Sequence, residues 1–410
     1  MPPLLALAAA LLCGFAGLAR PAAAQGLPQA PITWLGGRGF LSGSVSAAAA
    51  SGGTDTSFNS GDYGQDTMRL VELTLAPSIA LHDAAFFSAD LRAAGSVNRS
   101  DWYFRPARLV VGVRPFPGRP LTVSAGLLQT PFGQSGRGYG RENLLVGLPL
   151  IYQYRTALQA DGSRGAGVPG GEGPYPYPEY HGYGPPAAAA QSYSYSYVAP
   201  GLPLVDTRGW NAGVRLDAGG DRAQVAAALV RGSLSNPLSR DDRPGWQLAG
   251  RAAGQPIVGL VVGVSGARGR YARVPGSGAS LAETALGADA EISRGYWLVR
   301  GEVVHSRREV APPGAPSPTE TLGVTGLDVE GRYRIAPGFY LAGRVGRLWF
   351  GGARGTALSW DADVTRFEGG LGWSLSRPLL VKASYQYNRR PGGIGREQLH
   401  RVAMQALVWF

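Results

Sequence analysis

Of the protein's 410 residues, 62 are glycine and 31 proline, and only 16% are charged. Glycine and proline at nearly twice their usual share exclude a helix bundle, because both penalise helix interiors; no every-third-residue glycine supports collagen, and 44% hydrophobic with 10% aromatic residues excludes disorder across the whole chain. The net charge of +11 is carried almost wholly by arginine, with Lys382 the single lysine, and the arginines run unclustered from Arg20 to Arg401, so nucleic acid is not an expected partner.

Residues 1–24 read as a signal peptide. An apolar stretch from Leu4 to Leu18 leads to the small residues Ala22-Ala23-Ala24 before Gln25. Arg20 and Pro21 interrupt it before it could span a bilayer. The sole cysteine, Cys13, lies inside this segment. A processed chain would then offer no disulfide, zinc cluster or cysteine nucleophile. Residues 25–37 form a lead-in, and 38–410 the main unit.

From residue 38 onward the chain alternates apolar and polar residues at period two, the signature of strands with one face in each environment. We count about sixteen such segments, with bounds good to ~2–4 residues: 38–48, 66–81, 84–97, 102–115, 119–130, 204–217, 222–233, 244–253, 256–267, 281–292, 295–306, 321–335, 338–350, 361–375, 378–388 and 397–410. Turn formers join them in short connections: His82-Asp83, Pro115 to Gly118, Ala218 to Asp221, Gly254-Gln255, Ser293-Arg294, and the joints at Pro337 and Pro378. The intervening connections are mostly longer, above all 131–203. Short turns on one rim and long loops on the other are the layout of a transmembrane antiparallel β-barrel. Closure also explains the low charge, since in lipid every backbone group must be paired and apolar side chains must face outward. Aromatics fall at segment ends: Trp102, Tyr103, Trp210, Trp246, Trp349, Phe350, Trp360 and Tyr387 toward the long loops, and Phe87, Trp297, Tyr333, Phe339 and Phe410 toward the short turns. Two such rims are expected where rings meet headgroups.

The segment count, the terminal Val408-Trp409-Phe410 and the place of the longest loop give the chain its likeness: it resembles the sixteen-stranded bacterial outer-membrane porins. The resemblance implies a loop after strand five folded into the lumen, Val408 and Phe410 as the signal read by the barrel-assembly machinery, residence in outer-membrane lipid, and a possible homotrimer. Gly126-Leu127-Leu128-Gln129-Thr130-Pro131-Phe132-Gly133 is similar to the strand-five exit of the phosphate-selective O and P type porins. Those proteins line their pore with lysine as well as arginine, and here only Lys382 is available.

Alternation assigns an inward set of Arg92, Arg108, Arg114, Arg215, Arg251, Arg300, Arg332, Arg334, Arg344, Arg366, Lys382 and Arg401, against Glu72, Asp90, Asp217, Asp289, Glu291, Glu302, Asp328, Glu330 and Glu368. Arginine facing lipid at the midplane costs roughly 2–4 kcal/mol, which favours this assignment. Two roles stand open for each cation: lining a pore, or pairing with a wall carboxylate to hold the barrel. In the long loop, Arg137, Arg141, Glu142 and Arg155 surround the apolar run Leu144 to Ile151. They form a candidate constriction if the apolar residues pack on the wall and the arginines point into the channel; otherwise they are solvated loop charges. The tyrosines from Tyr175 to Tyr197 alternate with Gly, Pro, Ser and Ala. They read as sugar-stacking faces or as a segment without a ligand.

Enzyme signals are weak. His82, His181, His305 and His400 are widely separated, without metal-site spacing, and no GxSxG occurs. Gly165 to Gly170 matches GxGxxG but follows no strand. No catalytic residue, metal or cofactor is implied. The reading is a non-enzymatic, passive outer-membrane channel for small hydrophilic solutes, neutral or anionic, with anion preference. The alternatives are a specific phosphate, oxyanion or sugar channel, and a barrel scaffold for a partner protein. Ala223, Ala227, Gly250 and Ala252 are small lipid-facing residues where copies could meet.

Overall fold

The computed structural model describes residues 31–50, 69–96, 102–116, 118–134, 141–159, 162, 201–206, 211–220, 222–236, 245–274, 276–311, 318, 320–352, 359–390 and 400–410. The segments 1–24, 163–200 and the position of Arg137 lie outside them.

Seventeen strands form. A short β1 (Ile32–Trp34) and one turn of 3-10 helix precede β2 (Gly39–Ala50). Then follow β3 (Arg69–His82), β4 (Ala85–Ser96), β5 (Trp102–Val113), β6 (Leu121–Leu128), β7 (Asn211–Gly219), β8 (Ala223–Arg231), β9 (Trp246–Ile257) and β10 (Leu260–Arg273). The last seven are β11 (Ser280–Arg294), β12 (Trp297–Val310), β13 (Glu320–Ala336), β14 (Phe339–Phe350), β15 (Val364–Ser376), β16 (Leu379–Arg389) and β17 (His400–Trp409). From β2 onward each strand pairs antiparallel with the next, and β17 returns to β2, with Ala403 opposite Ala50 and Trp409 opposite Ser44. The result is a closed sixteen-strand barrel plus one extra strand. β1 pairs with Gly39 to Leu41 of β2, the stretch that β17 does not reach. It thus covers an otherwise open edge.

Alternation sorts the side chains as the sequence expects. On β12, Leu298, Arg300, Glu302, Val304, Ser306 and Arg308 are buried, whereas Trp297, Val299 and Val303 are exposed. The inward face therefore carries the charge and the outward face the apolar residues. Phe104, Trp246, Phe367 and Tyr385 are exposed toward the long-loop rim, and Tyr296, Trp297, Tyr333 and Trp373 toward the short-turn rim. Phe350 and Trp360 depart from the sequence expectation of a belt: they pack edge to face inside, 4.8 Å between centroids, and both are buried.

Two turns and one strand start also differ. Gly254 stays in the ladder opposite Val262 and Ala223, and the turn falls at Val258-Gly259. Only Gly259, at φ +86°, adopts the left-handed conformation that such a turn needs. Likewise the β11–β12 turn falls at Gly295-Tyr296, while Ser293 and Arg294 pair with Leu298 and Trp297. β7 begins at Asn211 rather than 204; Leu204 and Val205 alternate like a strand but are buried in the apolar cluster described below.

Candidate functional site

On the inward face the register aligns Glu291, Arg300, Glu330, Arg344, Glu368, Gln386 and Arg401 directly opposite one another from β11 to β17. Arg300 pairs with Glu330. Arg344 bridges Glu330 at 2.6 Å and Glu368 at 3.0 Å. A second row brings Asp289, Glu302 and Asp328 together, and Asp289 is held by Arg251, with one contact at 2.8 Å. Buried ion pairs roughly break even against desolvation unless further hydrogen bonds satisfy their remaining atoms. Here those bonds come from the segment after β6.

That segment lies along the charged face. Phe132 is buried, and the Gly133 N–H donates to Ser265 Oγ at 2.9 Å. The Gln134 N–H donates to Glu302 at 3.0 Å, and the Tyr152 hydroxyl to the same carboxylate. Arg300 Nη2 donates to the Glu142 carbonyl at 2.8 Å. Lys382 Nζ donates to the Asn143 carbonyl at 2.7 Å. Arg344 donates to the Gly147 carbonyl and to Asn143 Oδ1, both at 2.7 Å. Arg366 reaches the Leu148 carbonyl at 3.1 Å and Gln153 at 3.0 Å. In return, the Gly147 N–H donates to Glu368 and the Ile151 N–H to Asp328. A four-residue helix, α1 (Leu150–Gln153), is wholly buried.

Apolar packing completes the attachment. Leu150, Ile151, Tyr154, Leu158, Leu202 and Leu204 join Val304, Leu322, Val324, Leu348 and Val364 of the wall in one buried cluster. Inward glycines make the recesses. A Cβ on Gly326 would meet Ile151 at 2.8 Å, one on Gly370 would meet Leu145 at 2.8 Å, and one on Gly287 would meet Phe132 at 3.2 Å. The sequence reading passed over these glycines; their inward phase on strands β11, β13 and β15 is the signal that marks them.

The opposite flank is different. β2 to β4 turn Ser44, Ser46, Thr74, Ser88, Asp90 and Arg92 inward, and the first segment after β6 borders a cavity of about 510 Å³. Thr122, Gln129, Phe132, Arg215, Asp217, Gln224 and Arg251 line it. Arg215 Nη2 contacts Asp217 at 2.6 Å, and Arg108 contacts Asp90 at 3.0 Å.

The residues singled out from sequence therefore separate. Arg92, Arg108, Arg114, Arg215, Arg332 and Arg334 keep partial or full exposure on inward positions. Arg114 and Arg332 stack 5.6 Å over Phe86 and Tyr340. Arg300, Arg344, Arg366 and Lys382 are buried beneath the inner segment, where they anchor it rather than meet water. Arg141 and Glu142 are exposed, and Arg141 lies 4.7 Å over the Trp409 ring. Arg155 does not point into water: it is buried, 3.7 Å from Asp206. Val408 pairs with Val45, and the Phe410 backbone exchanges two hydrogen bonds with Gly43.

One further anchor stands outside the strands. Asp361 accepts the N–H of Ala157 at 2.9 Å and Arg390 Nη2 at 2.9 Å. Burial pushes its carboxyl above the usual range, against the pull of Arg390 and of the Ala157 and Ala362 N–H groups. Among the described residues no group of three or more His, Cys, Asp or Glu converges on a metal position.

No family model matches the chain, and no curated protein matches it. Solved structures do. OmpT, an outer membrane protein of Vibrio cholerae, aligns with TM-score 0.56 and 12% identity over 91% of this chain and 98% of its own. An anion-selective porin from Comamonas acidovorans gives 0.56 and 11% over 91% and 99%. OmpF of Salmonella typhi, complexed with daunomycin, gives 0.57 and 9% over 91% and 97%. At such identities the likeness is one of fold: a sixteen-strand antiparallel barrel of the bacterial outer-membrane porin architecture.

Proposed function

We propose that this barrel is an outer-membrane porin through which small hydrophilic solutes diffuse passively, with a preference for anions. One observation carries the reading: the inward face is divided. Its β10–β17 flank is covered by residues 131–134 and 141–159, which we place as a constriction inside the lumen. Its β2–β9 flank carries small polar and charged side chains, of which Ser44, Thr74, Asp90 and Arg92 keep exposure, and it borders a cavity. Solutes would pass along that second flank. The porin architecture of the neighbours supports a channel, and the anion-selective neighbour from Comamonas acidovorans is consistent with its preference.

The anion preference rests on cations that keep exposure. Arg92, Arg108, Arg114, Arg141 and Arg215 face the route, Arg332 and Arg334 stand at the short-turn end of β13, and Asp90, Asp217 and the exposed Glu142 offset three of the seven. Low-dielectric walls focus the field of the remainder on a passing ion. The pairing of Arg215 with Asp217 and of Arg251 with Asp289 leaves no dedicated oxyanion pocket in the cavity, so general diffusion is favoured over a phosphate-selective O/P-like channel. Targeting by residues 1–24, insertion through Val408 and Phe410, and trimer formation complete the proposal; one neighbouring structure, OmpT of Vibrio cholerae, was determined in a trimer form.

Purified protein in planar bilayers tests it. Stepwise conductance with a reversal potential showing anion selectivity is the expected result. A chain that inserts without conducting would reject the channel reading and favour a scaffold.

A further inference from the structure

The outward face is apolar almost throughout, yet near the long-loop rim of β10–β12 it turns basic. Arg268 and Arg270 continue the outward line of Val262 and Val264, and Arg307 that of Val299 and Val303. All three are exposed. Arg268 stands opposite Thr284, and Thr284 opposite Arg307. One strand therefore separates the two guanidinium-bearing positions, roughly 10 Å at the usual strand spacing. Among the described residues no carboxylate lies within ion-pair distance of these arginines. Glu309, the next outward position on β12, points its carboxylate to the Ala282 N–H at 2.9 Å. Arg307 Nε donates to His305 at 3.3 Å.

Directly toward the barrel's middle the same face is greasy and exposed. Leu248 pairs beside Arg268, Leu286 lies one same-face position from Thr284 toward the barrel's middle, and Val264 two from Arg268. Trp246, 60% exposed, flanks the patch. Trp246 stands level with Arg270, so apolar residues give way toward the rim to an aromatic and cationic level, as acyl chains give way to interface and charged headgroup in a lipid. Guanidinium groups bind phosphate oxygens bidentately, and basic side chains at a membrane surface attract anionic lipids.

We propose that Arg268, Arg270 and Arg307 form a docking surface for the phosphorylated headgroup of an anionic lipid at the long-loop rim, with its acyl chains on Leu248, Val264 and Leu286. The inference rests on the membrane placement proposed above.

The test uses the full chain in neutral detergent, with diphosphorylated lipid A as probe and native mass spectrometry as readout. Wild type should retain the lipid, and R268Q/R270Q/R307Q should retain it at least about tenfold less. Excess inorganic phosphate should leave the wild-type complex in place, because it lacks the chains. Equal retention by wild type and variant overturns the proposal, as does full displacement by inorganic phosphate, which would mark a bare anion site. The variant alters only exposed outward residues, so its heat-modifiable gel mobility should match wild type. Bilayer conductance of both proteins separates the two readings: lost retention in a variant tests lipid docking, whereas absent conductance in wild type strikes the channel alone.

Discussion

Arg344 and Glu330 face each other across β14 and β13, and the guanidinium that joins them also holds Gly147 and Asn143 of the inner segment. All five donors of an arginine are thus committed to two wall carboxylates and two loop acceptors. Arg344→Met would leave Glu330 and Glu368 buried without that cation, at a cost of about 3–5 kcal/mol. We expect a lower heat-dissociation temperature in gels and a larger single-channel conductance as the segment loosens. Reduced stability with unchanged conductance would place residues 141–153 away from the solute route.

Gly326 offers a second handle on the same segment, through shape instead of charge. A leucine there would occupy the volume of Ile151 and Leu204. Overpacking of this kind costs about 1–3 kcal/mol. Gly326→Leu should shift thermal unfolding downward by that amount while leaving strand content, read by circular dichroism, intact.

Selectivity should respond to the exposed charges and not to the buried ones. Asp90→Asn releases Arg108 from its partner and should raise the anion-to-cation permeability ratio, by about two- to fivefold for one unscreened charge in a narrow aqueous passage. Arg141→Gln should lower it. Arg155→Gln should leave the ratio alone, because that side chain is buried beside Asp206. Reversal potentials in a salt gradient check all three.

Asp361 sets a pH dependence. Its folded carboxyl binds a proton more readily than an unfolded one, chiefly through burial. Its contribution to stability therefore falls as pH rises from the ordinary carboxylate range through the raised value, then levels off. Arg390→Gln removes the main opposing charge and should raise that value further. The variant should lose protection around Ala157 near neutral pH and recover it on acidification. Limited proteolysis along a pH series from neutral down into the ordinary carboxylate range would show this; a pH-independent pattern would count against it.

Lipid exposure of the outward face can be measured directly. Val329, 43% exposed at the middle of β13, should tolerate leucine. Arginine there should cost about 2–4 kcal/mol in bilayer folding titrations.

The barrel was legible because its evidence is periodic: each strand repeats the same in–out choice, so Leu379 to Asn388 and Arg401 to Phe410 declare their faces without any knowledge of their neighbours. The antiparallel register and the inward phase of Arg300, Arg344 and Lys382 follow from that choice. What those cations touch does not. Whether an inward arginine meets water or a carbonyl depends on a segment more than a hundred residues away, as Arg344 and Gly147 show. Arg155 misleads for the same reason, since its partner Asp206 lies across the long loop. Gly326 was missed because a missing side chain gives no periodic signal unless its phase is asked for.

Ionic strength should divide this molecule in two. The contacts clasping residues 141–153 lie out of water, where dissolved ions scarcely reach them, whereas Arg92, Arg108 and Arg141 sit within a screening length of about 10 Å at 0.1 M. From dilute to brine-like media the opening should keep its calibre while its sense of charge fades, so a sieve by size would persist where discrimination by sign does not.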